Sequence, residues 1–261
     1  MVGSKRNDIM DLNTIYNVDC LEGMKMIPDG YVDLIVTDLP YGVTRNHWDC
    51  VIPIEPLWEQ YKRIIKENGA IILFGSGMFT ADLMESNKPM WRYNLIWDKR
   101  QPTGFLNAKR MPLRVHEDIL VFYKKPPTYN PQKRKAIRKQ AARKNGIQSG
   151  NYGEYGNTVY DSCERYPTSI ISMKKDTQKT KGTPFKFPTQ KPVQLIRYLI
   201  ETYSNKGEIV LDSCMGSGTT AIAAIDTGRK YIGFEIDHEI YMLSIKRIKN
   251  HMMEEKHEAG R

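Results

Sequence analysis

At 261 residues the chain is long enough for one large α/β domain with a small appendage, and 40% hydrophobic content excludes wholesale disorder. No apolar run approaches the ~20 residues of a membrane span, and the opening MVGSKRNDIMDLN lacks the apolar stretch of a secretory leader. A soluble, cytoplasmic protein without a membrane partner is expected. Cys20, Cys50, Cys163 and Cys214 form no CxxC pair, which argues against a zinc ribbon or a disulfide framework and fits a reducing compartment. No metal site is expected. The net charge of +9 is concentrated: residues 1–123 carry 14 Lys and Arg against 16 Asp and Glu, residues 187–261 carry 10 of each, and residues 124–186 carry 15 against 4.

Taken in order, Tyr31–Thr37 is a short β-branched run between Pro28-Asp29-Gly30 and Asp38-Leu39-Pro40, so it reads as a strand. Leu57 to Lys66 has apolar residues at helical spacing, with Asn68-Gly69 as the stop. Ala70–Phe74, Tyr93–Trp97 and Asp118–Tyr123 read as further buried strands. Between 124 and 186 no periodicity persists. Tyrosines are interleaved there with Lys133, Arg134, Lys135, Arg138, Arg143 and Lys144, and a loop-rich module touching a polyanion is the expectation. The α/β pattern then resumes: a helix from Pro192 to Tyr203, a strand Glu208–Leu211, a glycine loop, a helix near Thr219–Thr227 and a strand Tyr231–Phe234. Strands alternating with helices imply a mostly parallel sheet covered on both faces.

Leu211-Asp212-Ser-Cys-Met215-Gly216-Ser217-Gly218-Thr219-Thr220 sits between a strand and a helix. Glycines there let the backbone turn and bring N–H groups to a ligand at a helix N-terminus. Glu235 ends the next strand, where a carboxylate can accept both ribose hydroxyls of an adenosine. Gly216-x-Gly218-x-x-Ala221 formally fits a dinucleotide fingerprint. However, Asp212 would repel a pyrophosphate and attract the ammonium of a methionine moiety. S-adenosyl-L-methionine (AdoMet) therefore fits better than NAD.

Asp38-Leu39-Pro40-Tyr41 follows a strand directly, at the edge where open α/β sheets bind ligands. An exocyclic base amine is a poor nucleophile because its lone pair is delocalised. The Asp38 carboxylate and the Leu39 carbonyl can each accept one of its N–H bonds, Pro40 stiffens the turn, and Tyr41 can stack on a base swung out of a duplex.

With these elements the chain resembles the DNA amino-methyltransferases that carry a D/N/S-P-P-Y/F/W motif, specifically the circularly permuted β group, in which the catalytic motif precedes the cofactor loop. The resemblance implies a Rossmann-like α/β methyltransferase fold with a mostly parallel sheet and an inserted basic target-recognition region. It divides the chain into a catalytic half (1–123), the insert (124–186) and an AdoMet-binding half (187–261). Val18-Asp19-Cys20-Leu21-Glu22 resembles the family's GDCLE element and places Asp19 on the cofactor adenine, helped by Cys20. Thr189-Gln190-Lys191-Pro192 resembles its TQKP element, which cradles the methionine end. By the same resemblance Asp38, Asp212, Met215, Gly216, Ser217, Gly218, Thr219, Thr220, Glu235 and Ile236 complete the cofactor site. Residues 42–49 resemble the loop after the motif, whose Thr44, Asn46 and Trp48 would touch DNA. Gly69–Gly75, Ile96–Lys99 and His116-Glu117 match further family blocks.

Leu39 stands where the family has Pro, a change that spares a backbone carbonyl. Asn17 stands where Gly is common, a minor change on this reading. Family members with Asp at the first motif position mostly methylate adenine N6, so the resemblance implies adenine N6 over cytosine N4 for Asp38. Cytosine C5 chemistry needs a nucleophilic Cys after Pro, and none is present. Double-stranded DNA is the expected substrate. A second copy of the chain and a cognate restriction endonuclease are the further partners this reading admits. The readings outside this class are an NAD-dependent oxidoreductase and a DNA-binding protein without catalysis.

Overall fold

Successive side chains of a strand face opposite sides of a sheet, and residues 32–37 show it. Leu34 and Val36 pack in one buried cluster, while Ile35 packs in another. The same alternation recurs at Ile72 and Phe74 against Ile71 and Leu73, and at Ile119 and Val121 against Leu120 and Phe122. A sheet buried on both faces follows. The computed structural model describes residues 10–42, 51–144, 147–149, 153–155, 158–176 and 190–259.

In chain order the elements are β1 (Thr14–Tyr16), α1 (Cys20–Met24), β2 (Val32–Thr37), α2 (Ile54–Ile64), β3 (Ile65–Gly75), α3 (Met78–Ser86), β4 (Trp91–Thr103) and β5 (Arg114–Phe122). There follow β6 (Arg134–Lys144), β7 (Ile147–Ser149), β8 (Gly153–Tyr155), β9 (Thr158–Arg165) and β10 (Ile170–Ser172). The last five are α4 (Val193–Tyr203), β11 (Ile209–Asp212), α5 (Thr219–Asp226), β12 (Lys230–Phe234) and α6 (His238–Ala259). Eight strands form one sheet in the order β1-β12-β11-β2-β3-β5-β4-β10. Neighbours are parallel except where β5 pairs with β3 and β4. One face is covered by α4, α5 and Ile248 of α6, and the other by α1, α2 and α3. Among the described residues no helix is long and apolar enough to cross a membrane.

The chain divides into two compact units, Met1–Asn130 with Ser169–Arg261, and Pro131–Thr168. The first contains the large sheet. In the second, β6 and β9 form an antiparallel ladder from Arg134↔Arg165 to Lys144↔Thr158, and β7 pairs with β8. The loop-rich reading of this stretch is thereby corrected. With charged side chains at five of the seven positions of 133–139 and Ile137 fully exposed, this strand carries no period-two pattern to read. The unit is narrower than residues 124–186, because the chain rejoins the large sheet at β10, which pairs in parallel with β4.

Asn68-Gly69 is a second correction. It does not stop a helix but lies inside β3. The helix ends earlier because Ile65 turns extended, at φ −74° and ψ 136°. Gly69 answers to space instead: a Cβ there would stand 2.8 Å from the Asp33 carbonyl oxygen.

Candidate active site

The carboxyl ends of β2, β11 and β12 open on one cavity of about 420 Å³. This is where an open α/β sheet leaves a crevice. After β11 the backbone turns through Gly216 at φ 51° and Gly218 at φ 78°, conformations that glycine adopts without steric cost. The turn delivers the Gly216 N–H to Glu235 Oε2 at 2.8 Å, and the Asp237 N–H donates to Oε1 at 2.9 Å. Asn17 fixes the same corner, donating from Nδ2 to the carbonyls of Glu235 (2.8 Å) and Ile236 (3.1 Å). Its departure from glycine is therefore structural. From α6, the buried Arg247 guanidinium donates to the Ser217 carbonyl at 2.8 Å and to Thr219 Oγ1 at 3.0 Å, clamping the loop from outside.

Asp212 ends β11 and is buried. It accepts from Thr37 Oγ1 (2.5 Å), Thr220 Oγ1 (2.6 Å) and the Cys214 N–H (3.0 Å). Burial pushes its carboxyl up to about 6, with these donors only partly opposing the rise. Burial raises Glu235 as well. The donors on both carboxylates are neutral hydroxyls and amides, so a cationic group entering the cavity would relieve their desolvation. Asp19 lines the cavity too, while its Oδ1 caps α1 by accepting from the Leu21 N–H at 2.8 Å.

Asp38 stands directly after β2. Its Oδ1 accepts the Tyr41 hydroxyl at 3.0 Å, and its Oδ2 is ion-paired with Lys191 Nζ. Lys191 also lies 3.4 Å from Glu117 Oε2 and 4.9 Å from the centre of the Phe74 ring. Burial alone would lower the Lys191 ammonium, but the charges of Asp38 and Glu117 outweigh it and hold the group above the usual lysine range. The Tyr41 ring packs on Phe79 at 4.6 Å. Leu39 buries its side chain among the α1–α3 helices, so a leucine is a packing residue at this position.

A family model described as DNA methylase matches residues 32–246, well over half of the chain. This chain belongs to the DNA methylase family. The methylase is 29% identical over 258 residues to the DNA adenine methyltransferase YhdJ of Escherichia coli (strain K12), covering 91% of this chain and 83% of that one. It is 28% identical over 250 residues to the type II methyltransferase M1.MboII of Moraxella bovis, covering 88% and 94%. Among solved structures, the M1.HpyAVI-SAM complex superposes with a TM-score of 0.61 at 25% identity, covering 90% of this chain and 98% of that one. The fold is the Rossmann-like one of AdoMet-dependent methyltransferases, and the family uses AdoMet as its methyl donor.

The cavity of the methylase gathers Asp19, Cys20, Asp38, Leu39, Pro40, Tyr41, Gln190, Lys191, Asp212, Met215, Gly216, Ser217, Thr219, Thr220, Glu235 and Ile236 from separated stretches of sequence. Gly218 is not in its wall. It faces α6, where a Cβ would meet Ile248 Cδ1 at 3.2 Å and Ser244 Cβ at 3.3 Å. Thr189, Thr44, Asn46 and Trp48 lie outside the described residues, as do the side chains of Arg143 and Lys144. Lys133, Arg134, Lys135 and Arg138 belong to the second unit, where Lys133 pairs with Glu164 at 3.1 Å and lies 5.1 Å from the Tyr166 ring centre. Sequence reasoning gave no role to Thr37, Phe74, Trp97, Glu117 and Lys175, which also line the cavity, or to Arg247. The His116-Glu117 block was visible as a motif, but only its place on β5 opposite Trp97 and Asp98 brings Glu117 to Lys191.

Proposed function

We propose that this methylase transfers a methyl group from AdoMet to the N6 amine of an adenine flipped out of double-stranded DNA. One observation carries the reading: the Asp38 carboxylate and the Asp212–Glu235 pair of acids line the same cavity. Buried acids served only by neutral donors suit a ligand with an ammonium and ribose hydroxyls, and disfavour the pyrophosphate of NAD. Glu235, with Ile236 beside it, would hold the ribose, Asp19 and Cys20 the adenine, and Asp212, Gln190 and the loop from Met215 to Thr220 the methionine end. When bound, AdoMet supplies an electrophilic methyl on its sulfonium. Asp38 and the Leu39 carbonyl accept the two N–H bonds of the target amine and leave its lone pair free to attack. The N–H directed at Asp38 marks the proton that departs. Tyr41, backed by Phe79, offers a stacking face.

Adenine is favoured over cytosine N4 by Asp38 at the first motif position and by the 29% identity to an adenine methyltransferase. Unit Pro131–Thr168, with 8 Lys and Arg against 3 Asp and Glu, serves as the target-recognition region. A second copy of the chain and a cognate restriction endonuclease are proposed partners, and the cytoplasm the proposed location. The test is Asp38→Ala, which should lower transfer of labelled methyl to DNA by at least ~10²-fold while calorimetry shows AdoMet still binding. A variant that methylates at the normal rate refutes the role of Asp38. Nucleoside analysis of DNA methylated by the native chain should show N6-methyladenine, and N4-methylcytosine would overturn the base assignment.

A further inference from the structure

Behind Asp38 the side chains continue as an alternating line of charge. Lys191 Nζ pairs with Asp38 and lies 3.4 Å from Glu117 Oε2, and Lys99 Nζ lies 3.1 Å from Glu117 Oε1. The line runs inward: Asp38 is 30% exposed at its side chain, Lys191 10%, Glu117 15% and Lys99 3%. Four separate parts of the fold supply it, namely the turn after β2, the entry to α4, β5 and β4. Two acids and two lysines form the line, and the half-buried Lys175 ammonium, also in the cavity wall, adds one further positive charge that acts on Glu117. Such desolvated groups are costly unless each is paired, so a purely packing solution would have used apolar residues here. Burial pushes the Glu117 carboxyl up, but the ammonium groups of Lys191 and Lys99 outweigh it and keep the group below the usual glutamate range.

We infer that Glu117 and Lys99 are positioning residues for methyl transfer, acting through Lys191 to set the orientation and acceptor strength of Asp38. An ammonium given wholly to Asp38 would neutralise the acceptor that the target amine needs. Glu117 draws part of that charge away, and Lys99 holds Glu117 so that it does not pull Lys191 off altogether. Removing either changes the balance at Asp38 without touching the Asp212–Glu235 side of the cavity. This inference rests on the reading of Asp38 as the amine acceptor.

The experiment is a set of steady-state measurements on the full chain with DNA and AdoMet. Glu117→Gln should lower kcat by roughly 10–100-fold, the scale of a misplaced catalytic group, with the KM for DNA and the Kd for AdoMet within about twofold of native. Lys99→Met should lower kcat less, and Lys99→Arg should restore most of it. Because Lys99 acts only through Glu117, Lys99→Met should cost nothing further when added to Glu117→Gln, a non-additivity expected of linked residues. Additive losses, or losses confined to KM or to AdoMet affinity, overturn the proposal. If Glu117→Gln does not fold, the Lys99→Met and Lys99→Arg pair decides it: an unchanged kcat in Lys99→Met is then a refutation. Asp38→Asn run in parallel separates the two levels. An inactive Asp38→Asn with native-like Glu117→Gln and Lys99→Met refutes the relay alone, whereas an active Asp38→Asn refutes the reading of Asp38 beneath it.

Discussion

Asp212 shows how one residue's surroundings set its use. Its three donors hold the carboxylate in a fixed orientation, yet none carries a positive charge, and burial leaves the group at about 6. Because the folded value lies above the ordinary carboxylate value, the stability this group contributes is present at low pH and lost as pH rises through about 6. A cationic cofactor reverses that sign by favouring the ionised form. AdoMet affinity measured by calorimetry should therefore fall below about pH 6, by at most about tenfold per pH unit for one proton. Asp212→Asn should bind more weakly and lose this dependence. A native profile that stays flat between about pH 5 and 7 would place the ammonium elsewhere.

Among the elements, the glycine loop and its clamp show what can be read in a sequence and what cannot. The strands around it, β11 and β12, were legible because short apolar runs flanked by turn residues have few other uses. The loop's glycines were legible as a pair, but their duties differ. Gly216 exposes its N–H to Glu235, while Gly218 makes room for α6. That distinction depends on where α6 packs: Tyr241, Ile245 and Ile248 recur at helical spacing, but nothing local shows that this helix meets the loop or that Arg247 clamps it. Gly218→Ala should accordingly cost about 1–2 kcal/mol for the left-handed backbone, with crowding against Ile248 and Ser244 adding to that. A shifted urea midpoint checks it, and an unchanged midpoint would mean that α6 yields easily. The helix stop misread at Asn68-Gly69 has the same origin. Gly69 answers to a neighbouring strand, which a local reading does not see. The site was legible wherever its residues cluster in short motifs, as at 38–41 and 212–220. Glu117 and Lys99 stood in recognisable blocks, but their meeting was illegible, because it depends on the register of β4 with β5 and on where the entry to α4 brings Lys191.

At the scale of the whole molecule, positive charge is concentrated in the second unit, and the much longer first unit carries a net excess of only four. Residues 131–168 carry a net excess of five positive charges, and the first 123 residues are slightly acidic. Replacing Lys133, Arg134 and Lys135 together by Ala should weaken DNA binding and flatten its salt dependence, by about 0.9 in log–log slope for each phosphate no longer neutralised. Titrations at several salt concentrations would show it, and an unchanged slope would mark the run as solvated surface. The permuted order also separates bonded partners in time. The bond between Thr37 and Asp212 joins residues 175 apart in sequence, and the one between Asn17 and Glu235 spans 218. On the ribosome, β2 therefore emerges long before its partner β11 is made, and its open edge waits for most of the synthesis. Such late, long-range pairing folds slowly and leaves nascent chains prone to aggregate. Yield should then depend on chaperones and translation speed more than on the stability of the finished protein.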